Sequence, residues 1–287
     1  MQTVKVNAKI NLSIKVVGVA ANGYHYLDMV TMPAENIADK ISVTPRKDKK
    51  ITCEFKFMDN IRDRYNVPDE QNTAVKAARL LMKEYNLNGF DILIEKGIPF
   101  LAGLGGSSAD AAGVILATCK LFHIDVKNNN ILALAMKCGA DVPMQLFGGV
   151  KRVRGFGEDI EIAESVNALH IIVAKGKGTV STLECMRKID EITGKVFAKN
   201  DDNSEFVRAL QRNDIKSAAC YMVNDLQAAA ILLNPDITRT LELLKASGAI
   251  NANLSGTGSA CFGVYGTAEQ KAAAFEFLKD KLELVIS

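Results

Sequence analysis

With 35 Lys and Arg against 33 Asp and Glu, the 287-residue chain carries a net charge of only +2, which excludes the basic footprint of a nucleic-acid binder. A chain of that length forms two domains or one large one and buries roughly three quarters of its unfolded surface, so it needs no disulfide or metal for stability. Its six cysteines, Cys53, Cys119, Cys138, Cys185, Cys220 and Cys261, are scattered without a C-x-x-C pair, which argues against zinc ligation and disulfide frameworks and for reduced, mostly buried thiols in a cytoplasmic protein.

The opening residues have no apolar signal core, and no later apolar run approaches the length of a bilayer crossing, so no membrane partner is expected. Alternating or β-branched runs predict strands over 3–8, 11–18, 27–32, 40–44, 51–57 and 90–95. The basic run from Arg46 to Lys50 between two of them reads as a solvated hairpin loop. Helical patterns follow over 72–85, 107–122 and 129–138, then strands over 150–154 and 169–174. Further helices are predicted over 181–192, 204–211, 214–226, 235–247 and 268–284, with a strand pair at 249–254 and 260–265. The polar stretch 194–204, containing Lys199, Asn200, Asp201, Asp202 and Asn203, reads as an exposed loop. Hairpin strands first and helices afterwards, without regular βαβ alternation, indicate an α+β fold with two lobes. The division is expected after residue 152, giving lobes 1–152 and 153–287.

The stretch Pro99-Phe100-Leu101-Ala102-Gly103-Leu104-Gly105-Gly106-Ser107-Ser108-Ala109-Asp110-Ala111-Ala112 joins a glycine-rich loop to an Ala- and Leu-rich helix starting near Ser107. Glycines allow left-handed backbone and close approach of a ligand. The unpaired N–H groups and dipole of the following helix would then make an anion site; a mere turn before a helix is the competing account. It is not a Walker A loop, since Gly176-Lys177 and Gly194-Lys195 lack the following Ser or Thr, and the glycine spacing is not the dinucleotide fingerprint either.

Three further motifs accompany the loop. Ala8-Lys9-Ile10-Asn11-Leu12 precedes Asn22-Gly23-Tyr24-His25. Gly139-Ala140-Asp141-Val142-Pro143 precedes Gly148-Gly149 and Gly155-Phe156-Gly157-Glu158. Near the C-terminus stands Leu254-Ser255-Gly256-Thr257-Gly258-Ser259. Together, over nearly the whole chain, they resemble the GHMP kinases (galactokinase, homoserine, mevalonate and phosphomevalonate kinases), and especially the branch acting on a cytidine-diphosphate polyol in the non-mevalonate isoprenoid route.

The resemblance implies a two-lobed fold with the active site in the cleft between lobes, residues 1–152 binding nucleotide and 153–287 binding substrate. It implies ATP and Mg²⁺ as cofactors, a small-molecule substrate with a cytidine diphosphate group, no nucleic-acid or membrane partner, and a monomer or homodimer. Phosphate contacts fall on Gly103, Leu104, Gly105, Gly106, Ser107, Ser108 and Ala109, and further nucleotide contacts on Asn72 and Lys96. Asp141 takes the role of catalytic base, and helix capping is the competing account of an Asp before Pro. Lys9, on a face with Lys5, Asn7 and Asn11, stands beside it to stabilise the alkoxide; a polar strand edge is the alternative. Substrate contacts fall on Asn11, Tyr24, His25, Asp141, Thr182, Met186, Ser255, Gly256 and Thr257. Capping alone accounts equally well for Asn72, and a plain hairpin for Ser255 to Thr257.

The chain departs from the resembled pattern in three places. Its loop reads G-L-G-G-S-S-A-D-A-A where the usual one is G-L-G-G-G-S-S-[ND]-A-A. Met144 and Gln145 stand where two aromatics are usual, and Met186 stands where an aromatic covers the cytosine. Kinases of another alcohol, mevalonate- or homoserine-like, and a non-catalytic ligand-binding homologue remain as alternatives.

Overall fold

The computed structural model describes residues 1–58, 61, 67–164, 166–197 and 202–287; Lys199, Asn200 and Asp201 of the expected polar loop lie outside the described residues. The chain opens with two long strands, β1 (Gln2–Val19) and β2 (His25–Pro45). The two runs predicted within β1 are one strand. Every residue from Ala8 to Val16 is buried, so the alternation that marks a half-exposed strand fades there. Next come β3 (Ile51–Phe57), α1 (Thr73–Glu84), β4 (Phe90–Lys96), α2 (Gly106–Phe122), α3 (Asn129–Cys138) and α4 (Val142–Gln145). They are followed by β5 (Lys151–Gly155), β6 (Asp159–Ile162), β7 (His170–Lys175), α5 (Thr182–Thr193), α6 (Ser204–Gln211), α7 (Ile215–Tyr221) and α8 (Gln227–Leu233). The chain ends with α9 (Asp236–Ala246), β8 (Asn251–Leu254), β9 (Cys261–Tyr265), α10 (Ala268–Leu278) and β10 (Leu284–Ile286). The fold is α+β, as the sequence pattern indicates. No helix among the described residues is long and apolar enough to cross a membrane.

Residues divide into two compact units, each assembled from separate stretches. The first holds Met1–Lys9, Ala34–Phe100 and Gly105–Gly148, and the second holds Ile10–Pro33, Leu101–Leu104 and Gly149–Ser287. The sequence pattern suggested a single division after residue 152; instead β1 and β2 pass from one unit to the other along their length.

In the first unit β4 pairs antiparallel with Lys40–Pro45 of β2 and parallel with β3. The Thr3 and Ser42 hydroxyls, 2.8 Å apart, tie β1 to β2. Helix α1 buries Ala74, Val75, Ala77, Ala78 and Leu81, the stripe that a 3.6-residue period predicts, and packs against α2. Helix α2 is buried over most of its length. Gly113 lets it approach β2, since a Cβ there would lie 2.5 Å from Ile41 Cδ1.

In the second unit Leu27–Thr31 of β2 pairs with β5, and β5 pairs with β6. A separate antiparallel sheet runs β10-β7-β9-β8, with β9 buried throughout. Three departures from the predicted elements occur here. β6 is a strand because it completes a hairpin with β5. The last predicted helix stops at Leu278, and Leu284–Ile286 pairs with Val173–Lys175. The helix predicted over 214–226 ends at Tyr221, because residues 223–225 leave it to bond β1: Ile14 N–H donates to the Val223 carbonyl and Asp225 N–H to the Ile14 carbonyl. The chain becomes helical again only at Gln227.

A buried ion pair closes the second unit around residue 28. Arg152 donates from Nε to Asp28 Oδ1 at 3.0 Å and from Nη2 to Oδ2 at 2.6 Å. Asn203, just before α6, adds its backbone N–H to Asp28 Oδ2 and its side-chain amide to the Asp28 carbonyl. Ser13 Oγ donates to Asn203 Oδ1 at 2.8 Å. Truncating one partner of a buried pair strands the other charge. Asp28→Ala is therefore expected to cost about 3–5 kcal/mol, seen as a lower urea midpoint at unchanged slope.

Candidate active site

Helix α2 starts at Gly106 with Gly105 as its N-cap, and no side chain caps it. No acidic residue occupies its first turn, so its leading amides and positive dipole end have no side-chain acceptor. Gly105 is left-handed at φ +72°, and a Cβ there would lie 2.5 Å from Gln145 Nε2 and 2.9 Å from Lys9 Cγ. Ser107 is exposed, Ser108 half-buried and Ala109 buried. Gly103 and Leu104 belong to the second unit. Gly103, at φ +74°, lies so close beneath the Ser255 carbonyl that a Cβ would come within 2.1 Å, and Leu104 is buried beside it in sequence.

Asn72 and Lys96 are both internal. Asn72 Oδ1 accepts from the amides of Ala74 and Val75 as the cap of α1, and its Nδ2 donates to Cys53 Sγ at 3.4 Å. Thr73 beside it donates from Oγ1 to the Ser107 carbonyl at 2.6 Å, which ties the start of α1 to the start of α2. The Lys96 side chain is 1% exposed. Its Nζ lies 2.5 Å from Asp39 Oδ2, 2.7 Å from Asp110 Oδ2 and 3.2 Å from the Gly106 carbonyl oxygen. Burial works against the Lys96 charge, but the two carboxylates outweigh it and hold the ammonium above its usual pKa. Burial drives the Asp110 carboxyl well above the ordinary carboxylate range, against the pull of Lys96. Lys96 thus acts from below, holding the backbone of the glycine loop at Gly106.

Lys9 and Asp141 meet within the same unit, with Nζ 3.6 Å from Oδ2. Lys9 is buried on β1, whereas Lys5 on the same face is exposed, so Lys9 is not part of a solvated edge. Asp141 precedes α4 at φ −83° and ψ −8°, and its side chain caps none of that helix's amides. The carboxylate is therefore not spent on capping. Gln145, at the end of α4, donates from Nε2 to the Gly105 carbonyl at 2.9 Å, and its buried Oε1 has no hydrogen-bond partner. The sequence marked Gln145 only as a missing aromatic. Its contact with the loop depends on how α4 packs, which no local pattern announces.

In the second unit the Ser255–Ser259 turn is buried. Ser255 Oγ donates to the Gly103 carbonyl and accepts from the Asn11 amide. Asn11 also donates from Nδ2 to Met29 Sδ. Asn224, absent from the sequence-derived site, donates to the carbonyls of Leu254 and Gly256 at 2.8 and 2.9 Å and fixes the turn. Thr257 Oγ1 lies 3.1 Å from Thr182 Oγ1. Thr182 is exposed and Met186 half-buried on α5. Tyr24 is 68% exposed and stands edge-on to Phe156, centroids 6.3 Å apart. The His25 imidazole is engaged by Asp190, 2.8 Å from Nε2, a partner 165 residues away that sequence reasoning missed.

The models described as GHMP kinases N terminal domain and GHMP kinases C terminal match residues 72–149 and 206–284. The chain is 36% identical over 266 residues to a 4-diphosphocytidyl-2-C-methyl-D-erythritol kinase of Cutibacterium acnes, covering 90% of this chain and 84% of that one. It is 32% identical over 277 residues to one from Clostridium novyi, covering 96% and 94%. A solved 4-(cytidine 5'-diphospho)-2C-methyl-D-erythritol kinase superposes with a TM-score of 0.76 at 29% identity, covering 97% of this chain and 95% of that one. L. major mevalonate kinase in complex with R-mevalonate superposes with a TM-score of 0.74 at 14% identity, covering 100% and 94%, a likeness of fold alone.

The loop geometry makes Gly105 the sensitive position. Gly105→Ala is expected to cost about 1–3 kcal/mol through its left-handed backbone and to weaken ATP binding further by displacing Gln145 or Lys9. Thermal unfolding and an ATP titration of the folded variant measure the two effects separately.

Proposed function

Because the chain belongs to the GHMP kinases, and among them to the family of 4-diphosphocytidyl-2-C-methyl-D-erythritol kinases, we propose that it phosphorylates the 2-hydroxyl of 4-diphosphocytidyl-2-C-methyl-D-erythritol with ATP, a step of non-mevalonate isoprenoid precursor synthesis. The observation that carries this reading is the Lys9–Asp141 pair set beside Gly105 at the uncapped start of α2. One unit thereby combines a carboxylate base, a cation and an anion site.

In the proposed reaction Asp141 accepts the hydroxyl proton as the substrate oxygen bonds to the γ-phosphorus. The bond from that phosphorus to the bridging oxygen breaks, and its electron pair leaves with ADP. Lys9 orients the carboxylate and offsets the charge developing on the attacking oxygen. The amides of Gly105, Gly106, Ser107 and Ser108 hold the phosphates, while the Ala109 amide is taken by the Gly105 carbonyl as the first intrahelical bond of α2. Lys96 and Asn72 support this region from within, one under Gly106 and the other at the cap of α1.

Among the described residues no group of three or more His, Cys, Asp or Glu is placed to hold a metal. A Mg²⁺ that comes with ATP would take most of its ligands from phosphate and water. The Ser107 or Ser108 hydroxyl is the proposed protein ligand, and the ion, when bound, withdraws charge from the transferred phosphoryl group. For the substrate, Tyr24 offers an aromatic face to the cytosine, with His25, Asn11, Thr182 and Met186 around it and Ser255, Gly256 and Thr257 toward the diphosphate. The proposed location is the cytoplasm, in keeping with six cysteines that are all free.

ADP release measured with the cytidine substrate, mevalonate and homoserine side by side tests the assignment. Selective turnover of the cytidine compound is expected; turnover of another alcohol refutes the substrate, and turnover of none refutes the kinase reading. Asp141→Asn is expected to lower kcat by about 10²–10⁴-fold with little change in ATP affinity. A near-normal rate would remove Asp141 from the base role.

A further inference from the structure

Helix α5 carries Thr182, Met186 and Asp190 four residues apart, which places them on one stripe. At one end of the stripe the Thr182 hydroxyl lies 3.1 Å from that of Thr257. At the other, Asp190 Oδ1 lies 2.8 Å from His25 Nε2. This last pair is shielded, with side-chain exposures of 7% for His25 and 19% for Asp190. Phe197 stands edge-on to the imidazole, centroids 5.9 Å apart at 82°. Lys195 Nζ is 3.8 Å from the other Asp190 oxygen. Next to this buried ring, Tyr24 is exposed and sits in a turn closed by Ala20 N–H donating to the Tyr24 carbonyl and Tyr24 N–H donating to Asn22 Oδ1.

An imidazole held by a carboxylate at Nε2 and flanked edge-on by a phenyl ring keeps Nδ1 as the ring nitrogen that can meet a ligand. It is built as an anchor for the turn that precedes it. We propose that Asp190 is a positioning residue: through His25 it fastens the turn bearing Tyr24 to α5, so that Tyr24, Thr182 and Met186 keep one fixed geometry for the cytidine base. This rests on the cytidine substrate proposed above. The pair matters more in this chain because Met186 is flexible and specifies shape less well than an aromatic ring, which leaves the definition of the base site to the turn. The carboxylate also sets the ring, since an Nε2–H donated to Asp190 fixes both tautomer and orientation.

The test compares wild type, Asp190→Ala and Asp190→Glu in steady-state kinetics, with calorimetric titration of CDP as a probe that needs no turnover. Asp190→Ala is expected to raise KM for the cytidine substrate and the Kd of CDP by about tenfold, with kcat and KM for ATP nearly unchanged. Asp190→Glu, which keeps the carboxylate, is expected to recover most of the loss. The ¹⁵N spectrum of wild-type His25 should show a protonated, hydrogen-bonded Nε2 whose signature disappears in Asp190→Ala. Unchanged KM and CDP affinity in Asp190→Ala overturn the proposal, as does a fall in kcat alone or a failure of Asp190→Glu to rescue. If wild type neither binds CDP nor uses the cytidine substrate, the substrate reading itself has failed and the proposal falls with it.

Discussion

The ammonium of Lys96 is buried between two carboxylates, and much of the first unit is arranged to make that tolerable. A charge removed from water is kept only if it is paired and hydrogen-bonded. Here Asp39 and Asp110 supply the pairing, while Asp39 Oδ1 also accepts from the amides of Gly97 and Ile98. Lys96 ends β4, Asp39 lies on β2 and Asp110 is in the first turns of α2, so one cation fastens three elements together. Its third contact is the Gly106 carbonyl, at the point where the glycine loop enters α2. The start of α2 is thus set from inside the unit.

Around that anchor the small residues have a mechanical purpose. Gly113 brings α2 close against Ile41, and Gly105 turns the backbone into the left-handed region where Gln145 and Lys9 leave no room for a Cβ. Thr73 and Asn72 join the start of α1 to the same place. Lys9 and Asp141, from β1 and the loop before α4, are then held at 3.6 Å by elements with little freedom of their own. In phosphoryl transfer positioning and electrostatics supply most of the catalysis, and the roles proposed for Lys9 and Asp141 rest on that spacing.

The second unit solves a different problem, that of holding loops. Asn224 satisfies two carbonyls of the Ser255–Ser259 turn, Ser255 bonds Gly103 and Asn11, and Asp190 holds His25. Each of these loops carries residues singled out as substrate contacts, and each is secured by a polar side chain distant in sequence. Unpaired backbone groups in a buried turn are costly, which explains why the turn at 255 needs Asn224. The same requirement breaks the helix predicted over 214–226, because residues 223–225 are used to pair with β1.

Much of the architecture was legible from local pattern. Strand alternation, helix periodicity and the glycine loop running into an apolar helix gave the α+β class, most elements and the start of α2, because these signals are written over a few consecutive residues. Four motifs in order gave the family. The sequence also named Lys9 and Asp141, but left each with a structural alternative; only the burial of Lys9, the 3.6 Å pairing and the uncapped α4 decided against a solvated edge and a helix cap. Asn72 went the other way, with its carbonyl oxygen committed to capping α1. The interleaved units, β6, β10, the break before α8, and the supporting residues Gln145, Asn224 and Asp190 were beyond the reach of the sequence. Each depends on a partner brought close only by folding, and a hydrogen bond across 30 or 165 residues leaves no periodic trace in the chain.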